Sequence, residues 1–329
     1  MSRNIAGSKR GFGYDPITRS LGIYVDGALT ASFPPTPGRT YFVNNITGVS
    51  TNDGLSWANA VAEVSQAVTL SEAYRELGGD PGDRTATTND YVRNTIVVQG
   101  TGTAYTKLTA LPSYCDIVGI GANVRGTNQG VPRIGSDTVA ESGCAVTDTV
   151  RGLGVYNMQF QAGINKYCLS VASMYRSEFV NCSFMTNGAA TGNPTAAIYS
   201  SAAMGSVVFK DCFIGSSCSV DTEPDIGMKI EGTHFHNCLV EDCFICGLQG
   251  VTIASTCVNN WGSMFKNNYI GDASQTMSIC VNDDSAGHAH IVYAGNYLRA
   301  SGIALDLETD GGGRAIGNYE INGFVAANA

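Results

Sequence analysis

Phe209–Ile214 reads FKDCFI, and Val240–Ile245 reads VEDCFI. The pattern is apolar, any, Asn/Asp/Gly, Cys/Asn, any, apolar. It recurs as VYNMQF from Val155 (with Met158 in the fourth place), FVNCSF from Phe179, FKNNYI from Phe265 and YAGNYL from Tyr293, and a degenerate copy, AIGNYE, starts at Ala315. The third positions are Asn157, Asn181, Asp211, Asp242, Asn267, Gly295 and Gly317, separated by 24, 30, 31, 25, 28 and 22 residues. Constant cores at variable spacing are what a solenoid gives when its insertions bulge outward.

The constant segment is short, rich in Val, Phe, Tyr and Ile, and flanked by Gly and Asn, which favours strands and turns. No 3.6-residue apolar stripe lies between copies. The expected fold is therefore all-β, a right-handed parallel β-helix. Positions one and six point inward on either side of a bend at positions three and four. Asn suits that bend because it tolerates left-handed backbone and bonds locally. The fourth positions, Met158, Cys182, Cys212, Cys243, Asn268, Asn296 and Asn318, read as one internal column. Stacked identical polar residues can form a ladder. Residues 91–329 at about 27 residues per turn make about nine coils.

Composition agrees with this reading. Of 329 residues 40 are Gly and 14% are charged, while 43% are apolar, enough to fill a large core. The net charge of −9 argues against a phosphate-binding surface, so no nucleic-acid partner is expected. No apolar run reaches membrane-spanning length, and MSRNIAGSKRGFGYD lacks the core of a secretory signal. Synthesis in a cytoplasm follows as an expectation. There the 11 cysteines serve as small apolar residues rather than as a disulfide frame.

The chain divides into three parts. Residues 91–329 form the parallel β-helix. Residues 38–90 carry a strand, a loop and a capping helix, SWANAVAEVSQAVTLSEAYREL, with Ser56 as the N-cap, a stripe of Trp57, Val61, Val64 and Val68, and Gly78-Gly79 as the stop. This helix is expected to cover the open edge of the first coil. Residues 1–37 contain LGIYVDGALTASF, read as a β-hairpin turning at Asp26-Gly27, and a few basic residues, Arg3, Lys9, Arg10 and Arg19.

GRTYFVNNITGVSTNDGLSWANAV (Gly38–Val61) resembles the opening segment of many phage and bacterial β-helix proteins, through Asp53-Gly54, Ser56-Trp57 and the alanines that follow. YCDIVGIGANVRGT (Tyr114–Thr127) is similar to an early coil of the pectate-lyase-like superfold. The resemblance covers residues 38–320 and carries fold more than function, because this fold hosts lyases, hydrolases and inert spikes alike. With the short leading module it looks like phage virion appendages: tailspikes, head fibres and capsid decoration proteins. The resemblance implies a structural virion protein docked to capsid or tail through residues 1–37. It also makes a homotrimer and a host surface glycan plausible partners. The alternatives are a polysaccharide depolymerase and a non-catalytic glycan-binding module.

Candidate chemistry is sparse. A depolymerase needs paired carboxylates, and Asp211 and Asp242 hold equivalent places on neighbouring coils. Their bland reading is as bend residues that replace Asn, and that reading is preferred; an enzyme is not the leading expectation. VNDDSAGHAH (Val281–His290) has pieces of a polygalacturonase-like hydrolase but the wrong spacing, with three residues between Asp284 and His288. DLETDGGGR (Asp306–Arg314) has alternating acids without a calcium-loop spacing. His234, His236, Cys238, Cys243 and Cys246 lack two spaced CxxC pairs. No metal or cofactor is expected. Tyr269, Tyr297 and Tyr319 recur at position five and should face outward, as a partner or glycan contact or as cross-coil packing.

Overall fold

A computed structural model describes residues 38–77, 92–121, 130–135, 141–185, 195–215, 225–271, 277–286, 291–300, 302–307 and 313–320, with the backbone of the strands Arg10–Asp15, Ser20–Val25, Ala28–Phe33 and Gly323–Phe324. Short strands separated by tight corners stack into three long parallel sheets, which makes the chain a parallel β-solenoid. The first sheet has ten strands, from Thr40–Val43, Asn94–Gln99 and Cys115–Ile120 to Arg314–Ile316. The second has nine, beginning at Arg133–Ile134, and the third has eight, from Cys144–Arg151 to Ile303–Leu307. The coil count departs from the expected nine. Among the described residues, turns at both ends carry strands of only some sheets, so the stack of complete turns is shorter. At the C-terminal end Gly323–Phe324 folds back antiparallel on Tyr319–Glu320 and terminates the second sheet.

Each repeat is a strand, a corner and a strand. FKDCFI places Val208–Lys210 in the first sheet and Phe213–Ile214 in the second, with Asp211 and Cys212 between them. The register aligns Phe179, Phe209, Val240, Phe265 and Tyr293 into one inner column, and Phe184, Ile214, Ile245, Ile270 and Leu298 into another. All ten are fully buried. Neighbouring rings stack along these columns: Phe179–Phe209 centroids lie 5.0 Å apart and Phe265–Tyr293 centroids 5.2 Å apart. Like packs on like because the rung spacing of ~4.8 Å is close to the separation at which offset rings attract.

The capping helix is Val64–Leu77, eight residues later than the expected Ser56 start. Val64, Ala67, Val68 and Ser71 are its buried stripe, packed against Tyr41, Val43, Ile96 and Val98 at the open end of the core. Asn94 Nδ2 donates to the Ser71 carbonyl at 2.9 Å and ties the helix to the second strand. Val61 is a sheet residue: it bridges Val43, and its amide donates to the Phe42 carbonyl. Trp57 is 43% exposed and lies against the Phe42 ring. Ser56 closes a turn by accepting the Asn59 amide at 3.2 Å. Gln66 Oε1 accepts the Glu63 amide, which is half a capping box at the true start. The backbone between Phe42 and Val61 is spent on a looped β excursion, which left-shifted the helical pattern read from sequence.

The expected hairpin strands pair antiparallel, and a third strand extends them into a three-stranded sheet. Arg10–Asp15 pairs with Ser20–Val25, which pairs with Ala28–Phe33. Among the described residues this sheet joins none of the three long ones. Arg3, Lys9 and Arg19, the Asp26-Gly27 turn and Gly78-Gly79 lie outside the described residues.

Candidate functional site

The corner between first and second sheets is left-handed in every copy. Asn157, Asn181, Asp211, Asp242 and Asn267 have φ of 50–55°, and Gly295 and Gly317 have 64° and 59°. An ordinary L-residue pays about 1–2 kcal/mol there, whereas Asn, Asp and Gly enter at little cost. From Asn157 to Gly295 each corner amide donates to the next rung; Asp211 N donates to the Glu241 carbonyl and Asp242 N to the Lys266 carbonyl, both at 3.2 Å. The side chains of Asn181, Asp211, Asp242 and Asn267 project into solvent. Asn181 Nδ2 also donates to Asn157 Oδ1 at 3.0 Å. Asp211 and Asp242 therefore sit on an exposed corner.

The fourth positions point inward, and all seven are buried. Each from Cys182 onward reaches the carbonyl of position one in the preceding copy, and the three thiols also lie 3.2–3.5 Å from the position-two carbonyl of their own copy. Cys182 Sγ reaches Val155 O, Cys212 Sγ reaches Phe179 O and Cys243 Sγ reaches Phe209 O, at 3.3–3.5 Å. Asn268, Asn296 and Asn318 donate through Nδ2 to the carbonyls of Val240, Phe265 and Tyr293 at 2.8–3.0 Å. Thiol and amide thus fill one slot. The amide does more: its Oδ1 accepts the position-four amide of the preceding copy, as in Cys243 N to Asn268 Oδ1 at 2.9 Å. The thiols lie deep; burial pushes Cys212 and Cys243 well above the usual cysteine range.

Position five is buried in the first two copies, as Gln159 and Ser183, and from the third copy on forms one outer strip of stacked rings: Phe213, Phe244, Tyr269, Tyr297 and Tyr319. Successive centroids are 4.8, 5.0, 6.3 and 6.1 Å apart. Tyr297 and Tyr319 are each 51% exposed. Such spacing covers ring faces with neighbouring rings, so a sugar meets edges and hydroxyls rather than the open face that stacking requires. The geometry favours cross-rung packing over a glycan platform.

Among the described residues the remaining motifs do not converge. His234 and His236 share the outer face, with rings 5.9 Å apart, while Cys238, Cys243 and Cys246 are buried. His234 Nδ1 meets Thr233 Oγ1 and its Nε2 meets Asn259 Nδ2. Among the described residues no three His, Cys, Asp or Glu side chains gather to hold a metal. His288, His290, Glu308 and Asp310 lie outside the described residues, as does the side chain of Asp306. Asp284 is exposed, and Asp283 beside it is buried.

Sequence reasoning missed a second left-handed column, at the corner leading into the first sheet. Gly152, Arg176, Ser206, Asn237 and Gly262, with φ of 50–73°, each lie five residues before a first-corner residue, and Tyr114, φ 51°, begins the column. The constant offset of five was the available signal; varied residue types hid it. The side chains just before these corners build an outer row of Arg151, Tyr175, His236 and Trp261. The Arg151 guanidinium lies 5.6 Å over the Tyr175 ring, and His236 stacks on Trp261 at 5.1 Å. Gly205 stands in this row as a gap. A Cβ there would lie 2.7–2.8 Å from His236 and Tyr175, which close over it. Burial, then neighbouring His234, holds His236 below the usual histidine range.

A scan against protein-family models finds no match for this sequence, and a search of curated proteins finds none either.

Proposed function

We propose that this chain is a structural protein of a bacteriophage particle, a β-solenoid appendage or decoration protein held to the capsid or tail by its first 37 residues. The observation that carries the reading is where the polar repeat residues go. Asn268, Asn296 and Asn318 are consumed in rung-to-rung hydrogen bonds, and Asp211 and Asp242 turn exposed corners. The repeat is built to keep a stack straight and stiff. The leading antiparallel sheet, separate in its pairing from the long sheets, supports a docking role for the N-terminal segment.

Two experiments test this. Mass spectrometry of density-purified particles should find the chain in stoichiometric amount; its presence only in the soluble fraction would sink the reading. A chain lacking residues 1–37 should keep the solenoid's melting behaviour and no longer join particles. Normal incorporation of the truncated chain would refute the docking role.

A further inference from the structure

We propose that His236 is the titrating group of an acid-sensitive latch at the second corner. With its ring neutral it holds the Asn259–Trp261 segment of the next rung against the solenoid, and mild acid loosens that segment. The proposal does not depend on whether the chain joins a particle.

His236 lies on the strand His234–His236, and the next segment is tied to that strand on both sides of it. The Phe235 amide donates to the Asn259 carbonyl at 2.8 Å, and the Asn237 amide to the Trp261 carbonyl at 2.9 Å. Two side-chain contacts reinforce these bonds. The Trp261 ring stacks on His236, and Asn259 Nδ2 lies 3.2 Å from His234 Nε2. Trp261 is otherwise half exposed, so His236 is its main cover at the corner.

The surroundings of this imidazole suit its neutral form. Nδ1 is buried and has no hydrogen-bond partner. The opposite edge, Cε1 and Nε2, lies over Gly205, where no side chain stands to accept a second N–H. A proton would place N–H groups on both nitrogens and leave the buried one unpaired, which is unfavourable. The ring escapes that state by leaving the stack for water, and Trp261 then loses its cover.

Charge agrees. On its own strand His236 faces His234, with rings 5.9 Å apart. Toward the preceding rungs it meets Tyr175, tilted against it at 6.4 Å, and the Arg151 guanidinium covers that phenol. Arg176, whose amide donates to the Gly205 carbonyl, joins Tyr114, Arg151 and Tyr175 around a shallow cleft on the same side. On the other side Asn259 and Trp261 are uncharged. Carboxylates of the flanking strands are engaged elsewhere: Glu231 by Lys229 and Tyr199, and Glu178 by Tyr156. Burial, then His234, lowers the His236 pKa from 6.5. The native state therefore binds this proton less tightly than the unfolded chain. The stability that the neutral ring contributes is full above pH 6.5 and is lost as pH falls through the folded value.

The test is amide hydrogen exchange on the full chain, read by NMR and corrected for the intrinsic effect of pH. Protection of the Phe235 and Asn237 amides should fall about tenfold between pH 7.5 and pH 5.0. The Phe213 amide, bonded to the Cys182 carbonyl on another sheet, should keep its protection. His236→Phe leaves a ring in the stack with no nitrogen to titrate, and its protection should be flat over the same range. A second readout needs no variant: the His236 Cε1 proton of the parent should titrate with a midpoint below 6.5. A midpoint at or above that value would mean that the Trp261 face holds the charged ring in place, and the latch would be overturned. Constant protection in the parent, or a full pH response in His236→Phe, would overturn it equally.

Discussion

Asn268 and Asn296 stack one rung apart inside the solenoid, with Asn268 Nδ2 donating to Asn296 Oδ1 at 3.0 Å. Asn296 passes the interaction on to Asn318 at 2.9 Å. Each amide also serves two backbone groups, so the ladder satisfies polar atoms that a rung boundary would otherwise bury unpaired.

Asn296→Ala should therefore cost about 2–4 kcal/mol, since it strands the Phe265 carbonyl and the Asn268 amide in the core. Asn296→Cys should cost about half as much, because a thiol in this slot still donates to that carbonyl, as Cys212 does to Phe179. Urea denaturation measures both. Equal losses would show that the carbonyl does not need the donor.

The corner acids yield the opposite expectation. Asp211→Asn and Asp242→Asn should change stability by less than about 0.5 kcal/mol, because Asn enters left-handed backbone as readily. Asp211→Val should lose about 1–2 kcal/mol at the same φ of 54°. Thermal melts decide this. If the Asn variants instead abolished cleavage of a host polysaccharide that the parent degrades, the depolymerase reading would replace the structural one.

Asp283 makes stability depend on pH. It is buried in the column of Val171, Ile230 and Ile253, accepts the Tyr293 hydroxyl at 3.0 Å and the Ser285 amide at 3.1 Å, and burial raises its pKa from 3.8. A raised folded pKa means the native state holds the proton more tightly than the unfolded chain. The stability it contributes is full below about pH 3.8 and is lost as pH rises through the folded value. Asp283→Asn, always neutral, should gain on the parent between pH 4 and pH 7 in melting temperature. A parent–variant difference that is flat with pH would mean the carboxyl is solvated.

Ten cysteines are free and buried; Cys218 lies outside the described residues. Burial pushes Cys115, Cys238 and Cys280 up to about 12. A thiolate-seeking reagent at pH 8 should leave these ten unlabelled in the native protein and modify them in urea. Rapid native labelling of Cys182, Cys212 or Cys243, read by peptide mapping, would show that the column opens.

The repeat alone determined the fold class, because FKDCFI and its copies force two inward apolar residues around a left-handed corner, and stacking is how such units bury both. It also marked which residues turn the corners and which form the inner column, since local backbone chemistry restricts those places to Asn, Asp, Gly, Cys and Met. Tertiary structure decided the rest. The helix begins at Val64 because Val61 is taken by Val43 in the sheet, a long-range pairing invisible in a local stripe. The tyrosines at position five share their strip with Phe213 and Phe244, so ring faces are covered by rung spacing, which no single copy reveals. Tyr114, Arg151, Tyr175 and Arg176 are up to 62 residues apart in sequence and meet only because three turns bring them to one corner.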